Sequence, residues 1–124
     1  MRNNILKRFE QINEIGLAAN KNGIASSVDQ IDDYRYIIEW SNGVANDFDV
    51  EVQTSDFESF ANPLTGLDSY VVINSGTAIK IDTASGNHVI DVDTTIQKFA
   101  RIALKRNAGA MDVIATIRGS SIGG

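Results

Sequence analysis

The spacing of apolar and polar positions changes period once along this chain, near Val28. Before that point Ile5, Phe9, Ile12 and Ile15 recur every three or four residues, with Leu6 on the shoulder of the same stripe. This spacing aligns one face of a helix and predicts a short amphipathic helical segment. Gly16 and the cluster Asn20-Lys21-Asn22-Gly23 would end it. A helix this short is marginal in water unless its apolar face finds a surface to cover. Three destinations stay open for residues 1–24. They pack on their own domain, or they form a partly helical or extended arm that docks on a neighbouring subunit, or they are disordered. In the second case Ile5, Leu6, Phe9, Ile12 and Ile15 form the interface.

After Val28 the period is two. Residues Tyr34 to Trp40 are rich in aromatic and β-branched side chains, as strands are. Ser41-Asn42-Gly43 then reads as a turn, because Asn and Gly tolerate positive φ. Phe48, Val50 and Val52 alternate with Asp47, Asp49 and Glu51. A loop follows around Asn62 to Gly66, which holds the single proline, Pro63. Tyr70 to Ile73, Ala78 to Ile81 and His88 to Val92 are further short strands, divided by Asn74-Ser75-Gly76 and Ala84-Ser85-Gly86. Lys98 to Leu104 and Met111 to Ile117 close the series, joined across Asn107-Ala108-Gly109. About seven short strands with turns between them predict an all-β, antiparallel β-sandwich, jelly-roll-like or Ig-like, over residues 25–118. Residues 119–124 read as a flexible tail.

Composition adds bounds rather than a function. At 124 residues and 43% hydrophobic content, the chain fits one domain with a packed core. It has no cysteine, which excludes disulfides and thiolate metal sites. The net charge of -5 disfavours nucleic acid, whose phosphates require cations, and favours a basic or neutral protein partner. No apolar run approaches the ~20 residues that span a bilayer. The basic start lacks the apolar stretch and cleavage site of a secretion signal, which predicts a protein that stays in the cytoplasm when made.

Candidate chemistry is sparse. On a strand, Asp47, Asp49 and Glu51 share one face and Phe48, Val50 and Val52 the other, so the carboxylates are expected to face water. An extended strand does not wrap six to eight oxygens around an ion. Asp91-Val92-Asp93 has the spacing of a metal loop but lacks the glycine turn and terminal glutamate. Asp29, Asp32 and Asp33 precede a strand and read as a solvated loop. His88, the only histidine, alternates with Ile90 and Val92 on the apolar side. It reads as a hydrogen-bonded core or edge residue, since no nucleophile or orienting partner accompanies it. The glycine turns lack the ending of a phosphate loop. Lys98, Arg101, Lys105 and Arg106 form a small basic patch, a partner for the acidic strand or for an acidic neighbour. Catalytic, metal and cofactor sites are therefore not expected.

The order of motifs from Ile31 to Arg118 resembles a family of small β-sandwich structural proteins of tailed-bacteriophage virions. An acidic lead, Ile31 to Tyr34, enters an aromatic strand, Ile37 to Trp40, that ends at Ser41-Asn42-Gly43. A strand of the type Phe-x-Val follows at Phe48 and Val50, running on to Ser55. Then come Ser85 to Asp91, the strand Phe99, Ile102 and Leu104, and a last strand from Gly109 to Arg118. The chain departs from the family at Ala103, at Lys105-Arg106 and at the shortened turn Asn107 to Ala110. The resemblance implies a non-enzymatic capsid decoration or cement protein on the outer shell of the virion. Its partners would be the major capsid protein and other copies of itself, with a trimer favoured, and neither nucleic acid nor membrane. A tail, head–tail connector or fibre-associated component is the alternative within virions. A carbohydrate-binding β-sandwich is the alternative of another class, and would need exposed rings from Tyr34, Tyr36, Trp40 or Tyr70.

Overall fold

A pleated backbone sends alternate side chains to opposite faces, and two long strands of this chain continue, bent, through points where turns were expected. The computed structural model describes residues 2–29, 31, 33–73, 79–92 and 97–123, and side chains within residues 10–119 of that set. Eight strands form one antiparallel sheet, and no helix occurs among the described residues. They are β1 (Arg2–Leu17), β2 (Lys21–Asn22), β3 (Ser26–Ser27), β4 (Asp33–Ser55), β5 (Val71–Val72), β6 (Ile79–Ile81), β7 (Gly86–Val92) and β8 (Phe99–Gly123). The two long strands, β4 and β8, are central. Along its other edge β8 pairs with β1, β2 and β3, while β4 pairs with β5, β6 and β7. The expected turns at Asn74-Ser75-Gly76 and the residues Asp32, Ala78 and Asp93 lie outside the described residues.

Two of the expected turns are bends inside continuous strands. The β4–β8 ladder runs from Asp33 opposite Ser120 to Ser55 opposite Phe99, and its register shifts only between Ser41 and Phe48. Asn42 and Ala45 on β4 and Gly109 on β8 adopt positive φ there. Val44 lies opposite Ala110, and Asp47 opposite Ala108. Because both strands bulge at the same level, the ladder bends and then resumes instead of ending. Gly109 is confined by this crossing: a Cβ there would overlap the Val44 carbonyl oxygen and the Ala45 backbone.

The N-terminal segment is a strand, which corrects the helical expectation. β1 pairs with the C-terminal half of β8, from Arg2 opposite Gly123 to Leu17 opposite Met111. Register shifts separate Leu6 from Phe9, Glu10 from Ile12 and Glu14 from Leu17. Each bulge moves the next side chain to the other face, so apolar residues at three- and four-residue spacing can occupy a strand. Residues 119–123, expected as a loose tail, continue β8 opposite Asp33 and β1. Gly119 serves close packing rather than looseness, since a Cβ on it would lie 2.6 Å from Tyr34 Cβ and 2.7 Å from the Asp33 carbonyl oxygen.

The core lies on one face of the sheet. Tyr34, Tyr36, Ile38 and Trp40 before the bend, and Phe48, Val50 and Val52 beyond it, are buried from β4. β8 buries Ile102 and Leu104 on one side of Gly109, and Met111, Val113, Ala115 and Ile117 on the other. All belong to a single hydrophobic cluster that also takes in Ile12 and Leu17 of β1. Burying one such aliphatic or aromatic side chain is worth about 1.5–3 kcal/mol.

Candidate functional site

The acidic row of β4 is the wet side of a strand. Phe48, Val50 and Val52 are buried, whereas Asp47, Asp49 and Glu51 are half-exposed on the opposite face. Their repulsion is offset by neighbours on the flanking strands. Lys80 of β6 places Nζ 3.3 Å from Asp47 Oδ1 and 3.0 Å from Asp49 Oδ1. From β8, Asn107 Nδ2 donates to Asp49 Oδ2 at 3.1 Å and to Asp47 Oδ1 at 3.4 Å. The amide of Asn107, followed by Lys80, holds the Asp49 carboxyl below its ordinary pKa. Glu51 accepts from Gln53 Nε2 at 2.8 Å. Each carboxylate therefore already has a donor from this chain. Among the described residues no group of three or more His, Asp or Glu side chains converges as metal ligands would.

The other sequence candidates are placed as follows. His88 is half-exposed on β7, with Nε2 2.9 Å from the Lys80 carbonyl oxygen; a carbonyl only accepts, so Nε2 carries the proton. Its ring lies 5.0 Å from that of Trp40. Asp91 pairs with Arg35 at 3.2 Å. The basic patch does not act as one unit. Arg101 donates Nε to Gln53 Oε1 at 2.7 Å and stacks 4.2 Å from the Phe60 ring and 5.6 Å from the Tyr70 ring. Arg106 donates Nε to the Gly109 carbonyl oxygen, and Lys105 stands opposite Asp49 in the ladder. The basic neighbour that sequence reasoning missed for the acidic row is Lys80, which lies 33 positions after Asp47 and reaches it only through β6 pairing.

The rings proposed as a sugar platform are inside. Tyr34, Tyr36 and Trp40 are buried, and Trp40 Nε1 donates to the Thr83 carbonyl oxygen at 3.0 Å. Tyr34 and Tyr36 meet edge to face at 5.9 Å, and burial pushes both phenols above their ordinary pKa. Only Tyr70 is half-exposed.

The five interface candidates of the N-terminal segment do not form one stripe. Ile12 is buried in the core, whereas Ile15 is 87% exposed on the outer side of β1. The side chains of Ile5, Leu6 and Phe9 lie outside the described residues. Ile15 borders a shallow hollow of about 540 Å³ on the outer face of the sheet, which crosses β1, β8, β4 and β7. Its floor includes Ile37 and Ile114, and Val89 lies opposite Ile37 in the ladder. Val89 and Ile114 are exposed, at 52% and 42%. One rim is acidic, formed by Glu14, Glu39 and Asp112. Glu14 is paired with Lys21 at 3.1 Å. Asp112 accepts from Gly16 N and from Asn42 Nδ2, both at 2.8 Å, so it clasps the end of β1 to the bend of β4. Alternation along β4 could have marked Ile37 as outward-facing. Its grouping with Ile15, Val89 and Ile114 follows from the strand order, which one sequence does not contain.

No protein-family model matches this chain, and no curated protein matches it in sequence.

Proposed function

We propose that this chain is a non-enzymatic virion protein of a tailed bacteriophage, a decoration protein that binds the outer surface of the major capsid shell and reinforces it. The observation that carries the reading is the order of motifs between Ile31 and Arg118, of which Ile37–Trp40 and Phe48–Val50 lie on β4, His88–Asp91 on β7, and Phe99–Leu104 and Gly109–Arg118 on β8. The geometry supports a passive scaffold. Its acidic row is half-exposed and engaged by Lys80 and Asn107, and its outer face offers an apolar hollow with an acidic rim. Apolar area presented on a sheet face is the kind of surface that a protein partner covers.

In this reading the sheet folds over at the paired bends and closes as a β-sandwich. Residues from both halves support it: Tyr36, Ile38 and Val113 share one buried cluster with Phe48, Val52 and Ile102. No helix among the described residues is present to cover either half. Copies of the chain assemble as trimers at symmetry axes of the shell, after synthesis in the host cytoplasm. The buried rings of Tyr34, Tyr36 and Trp40 weigh against sugar binding.

The test is occupancy. Purified chain is added to heads of the encoding phage that lack it, and the pelleted particles are examined by gel and by cryo-electron microscopy. Saturable density at symmetry-related positions on the shell is expected, and Ile114→Asp in the apolar hollow is expected to weaken binding at least tenfold. Absence of the wild-type chain from the shell, or its presence only at the tail or connector, would sink the decoration role.

A further inference from the structure

Between β4 and β5 the chain makes a small hairpin that no core residue requires at its tip. Its base is fixed. Phe60 is buried beneath the Arg101 guanidinium, Ser55 Oγ donates to the Ser69 carbonyl oxygen at 2.6 Å, and Ala61 bridges to Asp68. Ser69 N donates to the Phe60 carbonyl oxygen at 2.9 Å, and Asn62 N to that of Leu67 at 2.8 Å. The tip is closed on itself as well. Gly66 N donates to the Asn62 carbonyl oxygen at 2.7 Å, and Leu64 N to Asn62 Oδ1 at 2.9 Å. Yet Leu64 is 93% exposed and Leu67 69% exposed. A segment tied down by this many bonds, and holding two leucines in water, has already lost the conformational freedom that binding would otherwise remove.

The charge around the tip is mainly negative, with Arg101 at the base acting electrostatically on Asp68. Asp56, Glu58 and Asp68 flank the tip, all exposed and none ion-paired among the described residues. No lysine or arginine occurs between Arg35 and Lys80. An acidic collar disfavours a second copy of this acidic chain and an anionic lipid surface. It complements an apolar recess edged by basic side chains.

We propose that residues 60–69 form a preorganised docking finger, whose Leu64 and Leu67 insert into an apolar recess bordered by lysine or arginine on the capsid shell protein. This rests on the shell-binding reading above. The finger is a second anchor, separate from the hollow around Ile114.

The experiment compares full-length wild type, Leu64→Ser/Leu67→Ser and Asp56→Asn/Glu58→Gln/Asp68→Asn for binding to heads lacking the chain, at low and high salt. Because these side chains are exposed, circular dichroism melts of all three are expected to coincide. The leucine variant is expected to lose about a hundredfold in affinity, the loss of two buried leucines. The neutralised variant is expected to bind less tightly at low salt and to lose most of its salt dependence. Wild-type binding matched by the leucine variant would overturn the finger and leave the decoration role standing. Failure of wild type to bind would overturn both. Two other results would also refute the assignment: leucine-dependent binding to phosphatidylcholine vesicles, or leucine-dependent self-association in sedimentation.

Discussion

Gly16 and Gly109 have nearly the same backbone angle, φ 64° and 68°, but substitution should affect them unequally. Nothing lies within 4 Å of a Cβ built on Gly16, so Gly16→Ala carries only the cost of a left-handed conformation, about 1–2 kcal/mol. At Gly109 the same strain is joined by overlap with the β4 backbone, and backbone cannot step aside as a flexible side chain can. Gly109→Ala is expected to lose at least about 3 kcal/mol or to fail to fold. Urea unfolding of the two variants reads the difference, and equal midpoints would contradict it. Asp112 gives a second test at this scale. The Asn42 amide, then the Gly16 N–H, hold its carboxyl below the usual range. A depressed folded pKa stabilises the fold above the unfolded value, and that contribution disappears as pH falls through the folded value. The Gly16 amide resonance should therefore titrate below the ordinary carboxylate range, and Asp112→Asn should abolish the step.

Among the elements, β1 is the one whose removal distinguishes a detachable arm from part of the fold. Deleting residues 1–22 strips the C-terminal half of β8 of one of its two neighbours, leaving only β4, and removes Ile12 and Leu17 from the core. At about 1.5–3 kcal/mol for each of these two side chains, the loss of about 3–6 kcal/mol reaches the lower end of the ~5–15 kcal/mol that holds a domain folded. The truncated chain is expected to give no cooperative thermal transition by circular dichroism; a sharp one near the full-length midpoint would restore the detachable arm. The same element shows where sequence stopped being informative. In β4, strict alternation makes the buried and wet faces of residues 47–52 legible from the sequence. In β1, three bulges broke the alternation and left a spacing that resembles a helix. The turn signals at Asn42-Gly43 and Asn107-Gly109 correctly marked positive φ, yet they could not tell a reversal from a bend, because that depends on the opposing strand bulging at the same level. The exposure of Ile114 was unreadable for a related reason: it depends on the neighbours across the sheet, which one sequence does not contain.

At the scale of the molecule, negative charge is concentrated rather than spread. The stretch from Tyr36 to Ile79 carries seven acidic residues and no lysine or arginine. It includes the wet face of β4, whose charges Lys80 and Asn107 partly satisfy, and the 60–69 hairpin, where no ion pair among the described residues does so. The hairpin that exposes Leu64 and Leu67 thus carries acidic charge offset only at its base, where Arg101 acts on Asp68.

The position of β1 beside β8 has a consequence for how the protein is born. A ribosome makes the first strand long before the last, and among the described strands β1 has no partner except β8. While β4 can already zip to β7 as they emerge, the N-terminal segment must stay bare until the final strand is released. The nascent chain therefore carries an unpaired, partly apolar strand until β8 is made, an interval in which pairing with other chains competes with folding.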